Sequence, residues 1–265
     1  MYPFTYTRAD SLAKAAEALA ADGDAKLLAG GQTLLPAMKL RLNAPSQLID
    51  LSRLAELKGV SVGANDVTVG ATTPHHDVAT NADIAKAIPA LHDLAGWIGD
   101  PAVRHKGTIG GSIANNDPAA DYPAACLGLG ATIVTNKREI AADDFFKGLF
   151  ETALGEGEIV TKVRFPKPLA SGYQKFRNPA SRFALVGVFV AKTANGARVA
   201  VTGAGASGVF RWKEAEAALS ANWSEGAVAG LKASAAGLNA DIHADAEYRA
   251  HLIGVMTKRA VAAAR

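Results

Sequence analysis

The sequence predicts an α+β protein, an α/β portion followed by an antiparallel sheet with helices on one face, and three observations carry that prediction. The first is a β–loop–α–β order near the N-terminus. Lys26-Leu27-Leu28-Ala29 runs into a glycine-rich loop, residues 34–40 resume as a helix and Gln47-Leu48-Ile49-Asp50 returns as a strand. The second is a change of pattern after Pro166-Lys167-Pro168, because proline cannot continue a paired strand. The third lies beyond it. Strands at about 173–177, 184–193 and 197–205 are joined by turns, with Ala194-Asn195-Gly196 as a hairpin signal, and alanine-rich helices follow at about 213–220, 224–236 and 244–263. A chain of 265 residues is long for one core and sufficient for two domains.

Each remaining element has its own signal. Asp10-Ser11 can cap a helix whose apolar positions Leu12, Ala15, Ala16 and Leu19 follow helical spacing and which ends near Gly23. Pro36 suits only the first turn of the helix it sits in. Val60 and Val62 alternate, Asn65-Asp66 turns the chain, and Val67 and Val69 alternate back, which predicts a hairpin. Pro74 begins a helix, and residues 83–96 form a helical stretch broken at Pro89. Residues 119–129 read as a helix, 131–135 as a buried strand and 158–165 as a half-buried strand.

Composition excludes several classes. A net charge of +3 with scattered basic residues does not suit nucleic-acid binding. Cys126 is the only cysteine, so this chain cannot form an internal disulfide, an iron–sulfur cluster or a cysteine-based zinc site, and its setting predicts a buried inert thiol. The first residues lack the pattern of a signal peptide, and no segment reaches the roughly twenty apolar residues of a membrane span. A soluble, cytoplasmic protein is expected. His75, His76 and Asp77 are adjacent on a helix and point in different directions, which does not make a metal site. No Gly-Lys-Ser/Thr loop and no nucleophile elbow is present.

The residues that carry chemistry are two glycine loops, Ala29-Gly30-Gly31-Gln32-Thr33 and Gly107-Thr108-Ile109-Gly110-Gly111-Ser112. Consecutive backbone N–H groups of this kind form anion sites, and Gly30 and Gly110 are expected where a phosphate must approach the main chain. Two such loops suggest a long ligand phosphorylated in its middle, as a dinucleotide is, although G-x-G-x-x-G is absent. The second loop continues into residues 112–121, where hydroxyls, carboxamides and carboxylates could bind a polyol chain. Asp117 reads as a helix cap; for Asp121, capping and ligand contact stand equal.

Three stretches carry a resemblance to the FAD-binding medium subunit of the molybdenum hydroxylases, the xanthine dehydrogenase and carbon monoxide dehydrogenase family. They are residues 28–42 with 48–51; residues 100–104 leading into 107–114 and 117–121; and residues 173–177 with 180–182. The resemblance implies the two-subdomain FAD-binding fold of the p-cresol methylhydroxylase type, with subdomains at 1–55 and 56–166, and a small C-terminal α+β domain at 167–265. It implies that the loop Ala29, Gly30, Gly31, Gln32 and Thr33, flanked by Leu28, Leu34 and Leu35, cradles the FAD pyrophosphate together with Thr108, Ile109, Gly110, Gly111 and Ser112. Asp121 falls on an FAD-contacting acidic position and Val160 near the adenine. Lys175 or Arg177 stands for a basic residue near the isoalloxazine. Ile98, with Trp97 adjacent, takes the place where some members stack an aromatic residue on the flavin.

The resemblance further implies an electron-transfer subunit with no catalytic acid or base of its own. Its partners would be a large subunit with the molybdenum cofactor and a small subunit with two [2Fe-2S] clusters, two copies of each forming a heterohexamer. The external acceptor would be NAD, a quinone or oxygen. The alternating apolar and polar C-terminal surface would form the docking face for partners. A self-contained FAD oxidoreductase and a flavin-free scaffold are the alternatives.

Overall fold

The computed structural model describes residues 1–265 as three successive main sheets and one two-stranded sheet, with helices packed between and around them. The first sheet comprises β1 (Thr5–Arg8), β2 (Lys26–Leu28) and β3 (Gln47–Asp50), all parallel in the order β1-β3-β2, connected by α1 (Leu12–Ala21) and α2 (Leu34–Lys39). Ser11 caps α1 by accepting the Lys14 N–H. The strand β1 carried no sequence signal: its side chains are all exposed, so no alternation marks it.

The second sheet is antiparallel and begins with the expected hairpin, β4 (Val60–Val62) and β5 (Asp66–Gly70). Six helices follow: α3 (His75–Ala79), α4 (Ala82–Ala87), α5 (Pro89–Gly96), α6 (Pro101–Arg104), α7 (Ile109–Asn115) and α8 (Tyr122–Leu129). Then come β6 (Thr132–Thr135), β7 (Glu139–Ala141), α9 (Ala142–Phe145), a small hairpin of β8 (Phe146–Gly148) and β9 (Glu151–Thr152), and β10 (Val160–Pro166). The sheet order is β4-β5-β10-β6-β7.

Two expectations are corrected here. Most of the second glycine loop is helical, because Thr108 caps α7 and residues 109–115 continue it. The helix expected over 119–129 starts only at Tyr122, and the Asp117 side chain accepts the Ala119 N–H in a turn that precedes it. All eight residues of α8 are buried, which is the behaviour of a helix apolar on every side. Cys126 lies within it as a free thiol whose pKa burial pushes well up.

The third sheet is antiparallel, with order β11-β12-β13-β14: β11 (Ala170–Arg177), β12 (Ala184–Thr193), β13 (Gly196–Thr202) and β14 (Phe210–Arg211). It is followed by α10 (Lys213–Ala221), α11 (Glu225–Val228) and α12 (Ala246–Ala262). Pro166 is the last paired residue of β10, and the chain enters the new sheet four residues later, at Ala170. The long helix expected over 224–236 does not form. It stops after one turn, with Gly226 and Gly230 weakening the stretch and turns following it.

The central strand of the C-terminal sheet is covered on both sides. Val186, Val188 and Val190 of β12 pack with Ala215, Leu219, Ile253 and Met256 of the helices, while Phe189 and Ala191 on the other face join the core around α8. Both faces of the strand are therefore buried. Polar contacts hold the same contact: Arg198 donates to both Asp143 oxygens at 2.8 Å and to the Leu127 carbonyl at 2.7 Å, and the Thr202 hydroxyl reaches the Ala120 carbonyl at 2.6 Å. No helix is long and apolar enough to cross a membrane.

Candidate functional site

The two glycine loops meet. A Cβ placed on Gly30 would lie 1.9 Å from the Lys106 carbonyl oxygen and 2.7 Å from the Gly107 Cα, so glycine is required there for one backbone to lie on the other. Gly110 has the same task against the Ala71 backbone, with contacts of 2.7–2.9 Å from a built Cβ. Both glycines therefore serve loop packing, a requirement that stands beside the phosphate approach expected of them. Gly31 has φ +68°, and its Cα packs between the Leu28 and Leu35 side chains.

The first loop then presents its main chain. The N–H groups of Gly30, Gly31, Gln32 and Thr33 find no acceptor in the protein. Thr33 occupies the cap position of α2, yet its hydroxyl makes no capping bond. Consecutive free amides around a left-handed glycine form the concave donor set that a diphosphate fills. The residues present fit an FAD pyrophosphate.

The second loop differs. Its Gly107, Ile109 and Gly110 amides bond to the carbonyls of Val103, Thr73 and Ala71, and the Gly111 amide bonds to the Thr108 hydroxyl. Only the Thr108 N–H remains without an acceptor, beside the half-exposed Ser112 and the exposed Gly111. His75 supports this loop from beneath: its backbone N–H donates to the Gly107 carbonyl at 2.9 Å, and its ring blocks any side chain at 107. Burial, aided by the nearby Arg104 charge, lowers the His75 pKa to about 4, so the ring is neutral.

A third group brings together residues far apart in sequence. Lys175, fully buried, lies 2.9 Å from Asp121 and donates to the Trp97 carbonyl at 3.2 Å; the Tyr173 hydroxyl donates to the same carboxylate. Burial raises the Asp121 pKa, and the Lys175 charge opposes it. Asp121 makes no capping bond to α8, so of its two readings the cap is absent. The stretches 100–104 and 180–182, which carry the resemblance without an assigned role, converge on the same turn. Arg104 donates to the carbonyls of Ile98 and Gly99 at 3.0 and 3.1 Å, and Arg182 reaches Gly99 at 3.4 Å. Three cations thus hold the carbonyls of residues 97–99. Only their membership in the resembling stretches could have pointed to the two arginines.

Of the other expected residues, Ala29, Leu28, Leu34 and Leu35 are half-buried around the first loop. Ile98 is half-buried against the central core, and Trp97 is 37% exposed with its ring 6.1 Å from that of Tyr173. Val160 is buried in β10. Arg177 is exposed, in contrast to Lys175.

An open set of backbone donors where two glycine loops meet suits the diphosphate of a dinucleotide cofactor, and the buried Asp–Lys–Tyr group forms a second polar cluster in the chain. Residues 2–168 match the family described as the FAD binding domain in molybdopterin dehydrogenase, and the chain belongs to that family. The glyceraldehyde dehydrogenase medium chain of Sulfolobus acidocaldarius is 40% identical over 199 residues, 72% of this chain and 71% of that protein. The carbon monoxide dehydrogenase medium chain of Hydrogenophaga pseudoflava is 34% identical over 278 residues, 98% of this chain and 96% of that one. The structure of reconstituted CO dehydrogenase from Oligotropha carboxidovorans superposes with a TM-score of 0.90 at 32% identity, covering 98% of this chain and 97% of the other. The chain is an FAD-binding subunit of the molybdenum hydroxylase family, and the α+β fold is that of the medium subunits.

Proposed function

We propose that this chain is an electron relay: electrons from [2Fe-2S] clusters on a small partner subunit, supplied by a molybdenum cofactor on a large one, leave through its FAD to NAD, a quinone or oxygen. The single observation that carries the reading is the donor set of the first loop, four free amides on a chain that belongs to an FAD-binding family. Bound FAD supplies exchange between one-electron and two-electron chemistry. The chain's own residues bind and orient. The amides of residues 30–33 hold the diphosphate, with Gly111 and Ser112 facing it from the second loop. Val160 borders the adenine.

Lys175 is the basic residue beside the isoalloxazine, because it bonds to the turn that carries Trp97 and Ile98 while Arg177 faces solvent. Trp97, the more exposed of that pair, covers the ring. Asp121 acts by fixing Lys175. Divisions at residues 55 and 166 are supported by the ends of the first sheet at Asp50 and of β10 at Pro166. With one cysteine, buried, this chain holds no cluster itself, which supports an (LMS)2 complex of medium, large and small subunits. We place it in the cytoplasm.

The test is anaerobic addition of substrate to the assembled complex. The flavin absorbance should bleach, and a complex lacking the small subunit should keep its flavin oxidised. Bleaching without the small subunit would overturn the relay.

A further inference from the structure

A group of exposed apolar side chains gathers at the first sheet. Tyr2, Phe4 and Tyr6 line β1 and the residues before it, and all three are exposed. The strand β1 is an edge, bonded only to β3, so its outer side offers unpaired N–H and C=O groups. Helix α2 delivers two leucines to the same region: Leu40 is 71% exposed and Leu42 78%. Arg41 between them lies over the Tyr2 ring, 5.6 Å from its centroid, so helix end and strand form one face.

The way α2 ends is unusual for what it contains. The Arg41 N–H donates to the Met38 carbonyl at 3.1 Å and the Leu42 N–H to the Ala37 carbonyl at 2.9 Å, with Arg41 at φ +60°. This is the paired-bond helix terminus that glycine favours. An arginine occupies the left-handed position instead, and the leucine after it turns to water, not back onto the helix. Arg8 pairs with Asp50 at 3.5 Å, whereas Lys39 and Arg41 are exposed and pair with no carboxylate. The face is therefore apolar at its centre and cationic at its rim. It lies one short helix from the cradle, since α2 is capped at Thr33 and ends at Lys39.

We propose that Tyr2, Phe4, Leu40 and Leu42, rimmed by Lys39 and Arg41, dock a partner subunit of the complex through a surface that is apolar at its centre and carboxylate-rimmed. Charge complementarity to Lys39 and Arg41 calls for carboxylates on the partner, and the left-handed Arg41, held over the Tyr2 ring, sets its guanidinium at the rim of the apolar centre. The proposal rests on the reading of this chain as one subunit of a larger complex.

The experiment uses the complex co-produced with its partner subunits and compares Arg41→Gly, Leu42→Ser and, as a control, Ile242→Ser at a fully exposed site remote in sequence. Subunit affinity, flavin content and thermal midpoint are measured on each. Arg41→Gly relieves the left-handed strain, so its midpoint should stay level or rise with flavin retained, while partner affinity falls about tenfold and becomes less salt-sensitive. Leu42→Ser should weaken affinity to a similar extent, and Ile242→Ser should not. A purely structural role for Arg41 predicts no such separation. Wild-type affinity in Arg41→Gly and Leu42→Ser overturns the proposal. So does an equal loss in Ile242→Ser, or an isolated chain that dimerises and is dispersed by Leu42→Ser, since the face then binds a second copy. Failure of the subunit reading looks different: the wild-type chain holds flavin and retains no partner, before any variant is made.

Discussion

The first glycine loop leaves the amides of residues 30–33 open, while the second turns nearly all of its own inward to Val103, Thr73, Ala71 and Thr108. Their compositions are similar and they touch through Gly30 and the backbone of residues 106–107. The difference lies in how each loop joins its helix. The second runs directly into α7, so its amides are consumed in capping and in fixing the helix to Ala71 and Thr73, just after β5. The first precedes α2 by a left-handed Gly31 that breaks the pattern and turns its donors outward. Glycine richness thus marks two physical tasks, close backbone packing and donor presentation, and a position must be assigned to one of them before a substitution can be interpreted.

Substitutions separate these tasks, and the largest effect is expected at the contact between the loops. Gly30→Val should cost about 3 kcal/mol or more, because the contact it violates is backbone against backbone and neither side can rotate away. Thermal unfolding should show it, and flavin should be lost because both loops move.

Next is the pH dependence of the second loop. His75 binds its proton at about pH 4 in the folded chain against 6.5 when unfolded, so the unfolded state takes up more protons between those values. Stability should be intact above pH 6.5 and fall as pH drops towards 4, by up to about 3 kcal/mol. His75→Asn should flatten that segment of the stability profile. An unchanged slope would mean that the ring is not neutral beneath Gly107.

Gly110→Ala and Gly111→Ala, adjacent residues of one helix turn, sharpen the contrast further. The first pushes into Ala71 and should destabilise by about 2 kcal/mol. The second meets only the Thr108 hydroxyl at 3.0 Å and should be neutral or stabilising by up to about 1 kcal/mol, since alanine orders a helix more readily. Flavin retention in Gly111→Ala then reports whether this open side faces the cofactor: a stable protein with weakened flavin binding is expected. The smallest destabilisation is Thr108→Ala, which removes the cap of α7 at a cost of about 1 kcal/mol in thermal unfolding, with the first loop unaffected.

Much of the fold is legible locally. Ser11, Pro36 and Pro89 fix helix starts because capping and missing N–H groups act within a few residues, and the Val60–Val69 alternation gives its hairpin for the same reason. The elements that escaped depend on distant neighbours. The strand β1 has no buried face to pattern it, and residues 229–236, although rich in alanine, pack Leu231 and Ala233 against the C-terminal core without helical structure. The burial of both faces of β12 could not be read locally, because α8, some sixty residues earlier, covers one of them.

The sequence by itself determined the family, the two loops and the single cysteine that leaves this chain without a cluster of its own, since these depend on residue identity and spacing. Only the tertiary structure decided which loop has amides to offer, that Lys175 rather than Arg177 is sealed against Asp121 and the Trp97 carbonyl, and which surface remains open. Those outcomes depend on backbones and charges meeting across 50 to 80 residues of chain, as Lys175 does with Asp121 and Trp97. Such separations are set by packing, and no local pattern records them.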